Sequence, residues 1–268
     1  HFDGETMRIF QSIGIADAVM AQSTGNQSLN FINGRGASLM QVDLSALPHT
    51  AGWPADIFFR QPLVEKHLRD NLEKFDTLSY ELGWAVSEMT QHDTHIEVTL
   101  HNSATGESKS CTTAYLIGAD GADSMVRRLA DIELIDFQCD EPWLVVDWEL
   151  DADIEFARNV YQFCDPKRPG TLVPCAGQHI RWEFMIGPDD DVAAMEAPDA
   201  VRKMMQPYLH HLGSDISPNQ GRILRSKVYH FHALLAAKMR RGRVFLAGDA
   251  AHQMPPFLGQ GMCAGLRD

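Results

Sequence analysis

Two short stretches place a carboxylate where a ligand could meet it. In "LIGADG" (116–121) and "FLAGDAAH" (245–252), an apolar run ends in an acid beside glycine, Asp120 in one and Asp249 in the other. A strand that ends this way and is followed by a helix puts the acid at the carboxyl edge of a sheet. Open α/β folds bind ligands at that edge. A carboxylate there accepts hydrogen bonds from sugar-like hydroxyls. Beyond Asp249, Gly259 and Gly261 permit close backbone approach. A helix opening near Gly261 would aim its first N–H groups and the positive end of its dipole at the same place. Asp-Gly is also a common turn, His252 can simply brace the loop, and Pro255-Pro256 can be a rigid corner. The order of the whole string, repeated in part upstream, favours the ligand-binding reading.

The rest of the composition narrows the partners. The chain has 268 residues, enough for two modest cores, and carries a formal net charge of −13. That balance argues against nucleic acid as the partner, since phosphate neutralisation needs a basic surface. A locally basic pocket for an anionic small molecule is still allowed. The five cysteines are scattered and form no CxxC pair, so neither a disulfide framework nor a zinc site is expected. A reducing, cytoplasmic setting is. No apolar run approaches the roughly 20 residues of a membrane helix, and no leader peptide is visible.

The elements that must position these acids can be read along the chain. "FDGETMRIFQSIGI" predicts a helix capped by Asp3 and closed by Gly14. "SLNFIN" and "ASLMQVDL" alternate as strands around Gly34–Gly36, and "DIFFRQPLVEKHLRDNLEKF" is a strand running into a helix that Pro62 can begin. Ile96, Val98 and Leu100 mark a half-exposed strand. "AYLIGA" is continuous enough to be a strand buried on both faces. From Glu141 to about Lys227, "WLVVDWEL", "NVYQFCD", "TLVPCA" and "HIRWEFMIG" predict an antiparallel sheet, followed by a helix broken near Pro207. The expected fold is α/β with an α+β mix: a Rossmann-like binding domain (1–27, 60–140 and 228–268) interleaved with an antiparallel-sheet substrate domain (28–59 and 141–227).

The motifs also carry a resemblance. "GRVFLAGDAAHQMPPFLGQGMCAGLRD" resembles the second flavin-binding motif of the class A FAD-dependent aromatic hydroxylases, the p-hydroxybenzoate hydroxylase fold. "LIGADGADSMVRRLA" resembles their Asp-Gly motif, with Ser124 and Arg127 in place, and "FFRQPLVEKHL" their strand-to-helix segment. Within that family, "DGETMRIFQSIGI", "CDPKRPG" and "RWEFMI" are most similar to the 3-(3-hydroxyphenyl)propionate hydroxylases and related phenol hydroxylases. The resemblance implies roles. Gln61 approaches the flavin side chain, Asp120 lies near the pyrophosphate, and Asp249 binds the ribityl chain. Pro256, Gly259 and the backbone at Gly261, Met262 and Cys263 line the flavin. Arg181, Trp182, Glu183 and Pro255 line the substrate.

The same resemblance implies FAD as cofactor and NAD(P)H as co-substrate. It implies hydroxylation of a small phenolic ring with O2 through a C4a-hydroperoxyflavin, with no metal. Arg181 could hold a substrate carboxylate or contact the flavin. His230 and His232, on one strand face in "VYHFHA", are the weak candidates for a proton relay. One departure is large: the family's opening GxGxxG segment is not found, and "NGRGAS" (33–38) does not replace it. The chain is therefore expected to be the middle of a longer protein, and FAD binding by this piece alone is in question. A homo-oligomer is allowed. The alternatives are an epoxidase or antibiotic-tailoring oxygenase on the same fold, a non-catalytic flavin-binding protein, or an inactive fragment.

Overall fold

The computed structural model describes every residue except Thr50, Phe257 and Leu258. The chain divides into two compact units, His1–Leu68 with Glu141–Phe231, and Arg69–Asp140 with His232–Asp268. The divisions fall inside the helix Gln61–Leu72 and the long strands Leu134–Leu150 and Gly221–Ala236.

The first unit is built on a large sheet. Its strands run in the order 221–236, 134–150, 179–185, 170–174, 160–164, 28–33 and 38–43, with the two-residue strand 252–253 paired along the outer edge of 221–236. The expected strands form, but the sheet is not purely antiparallel. Ser28–Asn33 pairs in parallel with Val160–Cys164, two segments far apart in the chain. Such a pair cannot be closed by a hairpin and needs a long crossover. Along His179–Met185 burial alternates strictly, with Ile180, Trp182 and Phe184 almost fully buried. These three join Leu144, Val146, Trp148 and Leu172 in one core, roofed by Val201, Met205, Leu209 and Leu212. The roof is the helix Pro198–Met205 and the 3₁₀ turn Gln206–His211. Pro207 explains the change of winding, because it cannot donate the bond an α-helix needs there.

The opening helix is Gly4–Ser12, with the Asp3 side chain accepting from the Thr6 N–H at 2.9 Å. Gly14 beyond it has φ 77°, a conformation glycine adopts without strain. Residues 1–27, assigned on sequence to the binding domain, group by contacts with the large sheet's unit. Phe2 bridges to Ile57 and its ring meets Phe10 edge-on at 5.6 Å.

The second unit holds the antiparallel meander Trp84–Gln91, Ile96–Asn102 and Ser108–Thr113, and a small sheet in the order 240–241, 244–246, 116–118. Leu116–Gly118 and Val244–Leu246 lie side by side in parallel, so their carboxyl ends emerge together. Ile96, Val98, Val126, Val244 and Leu246 form the core beneath. The expectation that "AYLIGA" is buried on both faces does not hold. Gly118 is buried against Val126, but Ile117 is 66% exposed. Alternation turns Ile117 away from that core.

Leu172 is fully buried in the core of the first unit, so Leu172→Ala should cost about 2–5 kcal/mol. Urea unfolding will show this as a lowered midpoint with an unchanged slope.

Candidate functional site

The paired strand ends of the second unit shape two turns. After Leu116–Gly118 the chain passes Asp120 and enters the short helix Met125–Leu129 with Ser124 as its cap. Asp120 accepts from the Ser124 hydroxyl and from the N–H groups of Met125 (2.8 Å) and Val126 (3.1 Å). Partial burial would raise its pKa, but these hydrogen bonds outweigh it and hold the carboxyl below its usual range. Asp120 therefore has a structural task, since its oxygens fasten the helix start.

Asp249 is different. It sits in the 3₁₀ turn Gly248–Ala250, is exposed, and has no partner among the described residues. Gly248, at φ 58°, turns the chain so that this carboxylate stands at the strand end. Arg127 ties the two turns together. Its buried guanidinium donates to the Ala250 carbonyl and to the Ala122 carbonyl, both at 2.9 Å. His252 is a brace. Its Nε2 lies 2.9 Å from an Asp268 oxygen, which also accepts from the Gly248 N–H at 2.7 Å.

The helix expected near Gly261 is Gly261–Arg267. It packs so closely on the Asp249 turn that a Cβ at Gly265 would lie 2.9 Å from the Gly248 Cα. Gly259 has φ 64°, and its N–H bonds the Pro256 carbonyl at 2.8 Å. Pro255, Pro256 and Gly261 are half-buried, Met262 is exposed, and Cys263 is buried. Phe257 and Leu258, within the same motif, lie outside the described residues.

In the first unit, charged side chains collect on the sheet face opposite the core. Asp147 is buried, and Arg181 is its direct neighbour in strand register. One Asp147 oxygen accepts from His179 Nε2 and Arg181 Nε, both at 3.0 Å; the other accepts from Arg225 Nε at 3.0 Å. Burial would raise the Asp147 pKa, but the His179 hydrogen bond and the Arg181 charge hold it well below the usual carboxylate range. For His179, burial pulls down and the Asp147 bond pulls up, leaving it raised to about 9. Three cations thus share one carboxylate, a local positive surplus on a chain of net charge −13. Beside them, burial pushes the Glu183 pKa up, against the pull of Arg181.

Some sequence-predicted residues stand apart. Trp182, expected to line substrate with Arg181 and Glu183, is fully buried on the core face. Successive side chains on a strand point to opposite faces, so Trp182 supports that surface from behind. Gln61 opens the helix Gln61–Leu72 and bonds Glu65 at 2.8 Å. Alternation places His230 opposite Tyr229, whose hydroxyl accepts from Arg225 at 2.9 Å. His232 Nδ1 lies 3.9 Å from an Asp140 oxygen. Sequence reading missed Asp147, His179 and Arg225. Only the charged residues at alternate positions in "VVDWEL" and "HIRWEF" hinted at them.

A family model described as "FAD binding domain" matches residues 1–268. The chain belongs to that family. Kinship with the FAD-dependent aromatic hydroxylases is borne out by curated relatives. The chain is 31% identical over 267 residues to a probable NADH-specific resorcinol 4-hydroxylase of Rhodococcus jostii, covering 100% of this chain and 49% of that protein. It is 32% identical over 266 residues to a 3-(3-hydroxy-phenyl)propionate/3-hydroxycinnamic acid hydroxylase of Burkholderia vietnamiensis, covering 99% of this chain and 47% of that one. It thus spans about half the length of these relatives. Among solved structures, p-nitrophenol 4-monooxygenase from Pseudomonas putida aligns with TM-score 0.83 at 22% identity, over 99% of this chain and 66% of the other. A flavin-dependent monooxygenase solved with FAD and substrate aligns at 0.82 and 22%, over 99% and 48%. At that identity the likeness speaks for the fold, and it agrees with the mixed α/β architecture of this FAD-family chain. Among the described residues no helix is long and apolar enough to cross a membrane.

The Asp147 cluster sets a pH dependence. The His179 value rises on folding, from 6.5 to about 9. Its contribution to stability is therefore complete below pH 6.5 and lost as pH climbs through about 9. The Asp147 value falls on folding, so its contribution is complete above its ordinary 3.8 and lost as pH drops through the lowered value. Urea midpoints between pH 6.5 and 9.5 should fall more steeply in the wild type than in His179→Gln. Parallel curves would count against the pairing.

Proposed function

We propose that the complete protein is an FAD-dependent monooxygenase that uses NAD(P)H and O2 to hydroxylate a small phenolic ring. In this reading, the present chain supplies the groups for the ribityl and ring end of the flavin and for the substrate. The observation that carries the reading is Asp249, an exposed carboxylate without a partner among the described residues, held at a strand end by Gly248 and Arg127. Its free acceptor oxygens fit the hydroxyls of a ribityl chain. When bound, FAD supplies the oxygen-activating chemistry.

The chain's own residues bind, orient and exclude water. Asp249 accepts from the ribityl hydroxyls, and the backbone at Gly261, Met262 and Cys263 faces the pyrimidine edge of the ring. Gly259 allows that approach, and Pro256 and Pro255 border the reaction space with few groups that could hold water. Asp120 stands near the pyrophosphate, shaping the backbone there, and Gln61 approaches the flavin side chain. On the sheet of the first unit, Arg181 holds a substrate carboxylate and Arg225 shares the task, because Asp147 neutralises only part of their charge. Glu183 lies on the same strand face beside Arg181, where burial raises its pKa against the pull of that guanidinium. A phenol bearing a carboxylate side chain, such as 3-(3-hydroxyphenyl)propionate, matches this surface better than resorcinol, which has no carboxylate. The scattered free cysteines fit a reducing, cytoplasmic setting.

The complete protein should be yellow as purified and should oxidise NAD(P)H faster, with oxygen uptake, when 3-(3-hydroxyphenyl)propionate is added. A colourless protein that cannot be reconstituted with FAD would refute the reading. Asp249→Ala should weaken FAD retention by roughly tenfold or more, the cost of losing hydrogen bonds to a charged acceptor, as read by flavin-release equilibrium dialysis. Arg225→Ala should raise KM for carboxylate-bearing phenols by about tenfold while leaving KM for resorcinol unchanged.

A further inference from the structure

The hairpin joining Trp84–Gln91 to Ile96–Asn102 carries a cluster that the proposed function does not use. Its loop is closed by the His92 N–H donating to the His95 carbonyl at 2.9 Å. On this loop and the start of the next strand lie His92, His95 and Glu97. Their ligand atoms all lie within 4.8 Å of one another. His92 Nε2 is 3.7 Å and His95 Nε2 3.8 Å from the same Glu97 oxygen. The two imidazoles stack with centroids 4.5 Å apart and planes 21° from parallel.

We infer that His92, His95 and Glu97 form a surface site for a divalent transition-metal ion, with water completing its coordination. Metal–ligand bonds of roughly 2.0–2.1 Å in a tetrahedral site place neighbouring donors about 3.4 Å apart. The cluster is within a few tenths of an ångström of that spacing along both edges to Glu97, a gap that small side-chain rotations close. Two imidazoles with one carboxylate suit zinc, nickel or copper(II) rather than magnesium or calcium, which prefer all-oxygen sets.

The surroundings support the donors. The Thr94 hydroxyl lies 3.0 Å from His95 Nδ1. Where it accepts the Nδ1–H, the Nε2 lone pair is left for the ion, the arrangement usual behind metal-bound histidines. The loop is also anchored from below. Arg243 donates through Nε to the Asp93 carbonyl at 2.9 Å, and its backbone N–H donates to the Gln91 side chain. The donors therefore sit on a loop held at two points, which lowers the ordering cost of closing on an ion.

The test is calorimetric titration of the purified protein with zinc sulfate and nickel sulfate, after treatment with EDTA and its removal. One ion per chain should bind the wild type. His92→Ala and His95→Ala should each weaken binding by at least tenfold, Glu97→Gln by about tenfold, and Thr94→Val by roughly tenfold through its effect on His95. His101→Gln, on the same meander, should bind like the wild type. Copper(II) EPR adds a direct count: nitrogen hyperfine structure from two imidazoles in the wild type, and from one in either single variant. These side chains lie on the hairpin loop and the start of the strand after it, outside the hydrophobic core, and circular dichroism will show whether each variant folds. Equal affinities in wild type and His92→Ala/His95→Ala, or no binding at stoichiometric metal, would overturn the assignment.

Discussion

A carboxylate buried in a sheet cannot stand alone, and Asp147 governs much of the first unit for that reason. Leaving it unpaired would cost far more than any neighbouring packing could return. His179, Arg181 and Arg225 answer that demand from two other strands. The register that sets Arg181 directly across from Asp147 sets Trp182 across from Val146 on the opposite face. The same alignment that satisfies the charge therefore fills the core. Polar chemistry and hydrophobic burial are consistent with one register and no other, since a slip of one residue would exchange the two faces.

The second unit solves a different problem, that of holding two loops at the ends of two short strands. Strands of three residues supply few ladder bonds, so side chains do the holding. Arg127 spans both turns by their carbonyls, and the absence of side chains at Gly248 and Gly265 lets a helix seat directly on one of them. The two acids that look alike in sequence then part company. Asp120 spends its oxygens on a helix start, while Asp249 keeps its own exposed. One acid is committed to the scaffold, and the other is left open to solvent at its edge.

Much of this was legible in the sequence because the signals are local. Asp3 and Gly14 bounded a helix, Gly36 a hairpin, and Pro207 a change of winding, each through its own backbone chemistry. The strand-end acids and the glycines after Asp249 were equally readable. What escaped were relations between distant segments. The Asp147 cluster joins residues 32 to 78 positions apart, and no single strand announces it. Trp182 was grouped with Arg181 and Glu183 because adjacent letters suggested a common surface, whereas the pleat sends them apart. The exposure of Ile117 was illegible for a related reason: a short apolar run reads the same whether one face or two is covered.

The division of the large sheet into two faces bears on how such a protein could change over time. Positions beside the charged cluster, such as Val145, Val173 and Met185, can be exchanged one at a time, because their neighbours lose only contact area. Members of the cluster cannot, since replacing Asp147 leaves three cations facing one another and replacing a cation leaves the carboxylate short of donors. Divergence at these positions should be concerted: among descendants of a common ancestor, Asp147, His179, Arg181 and Arg225 would be kept or surrendered as a set, while the residues around them drift independently.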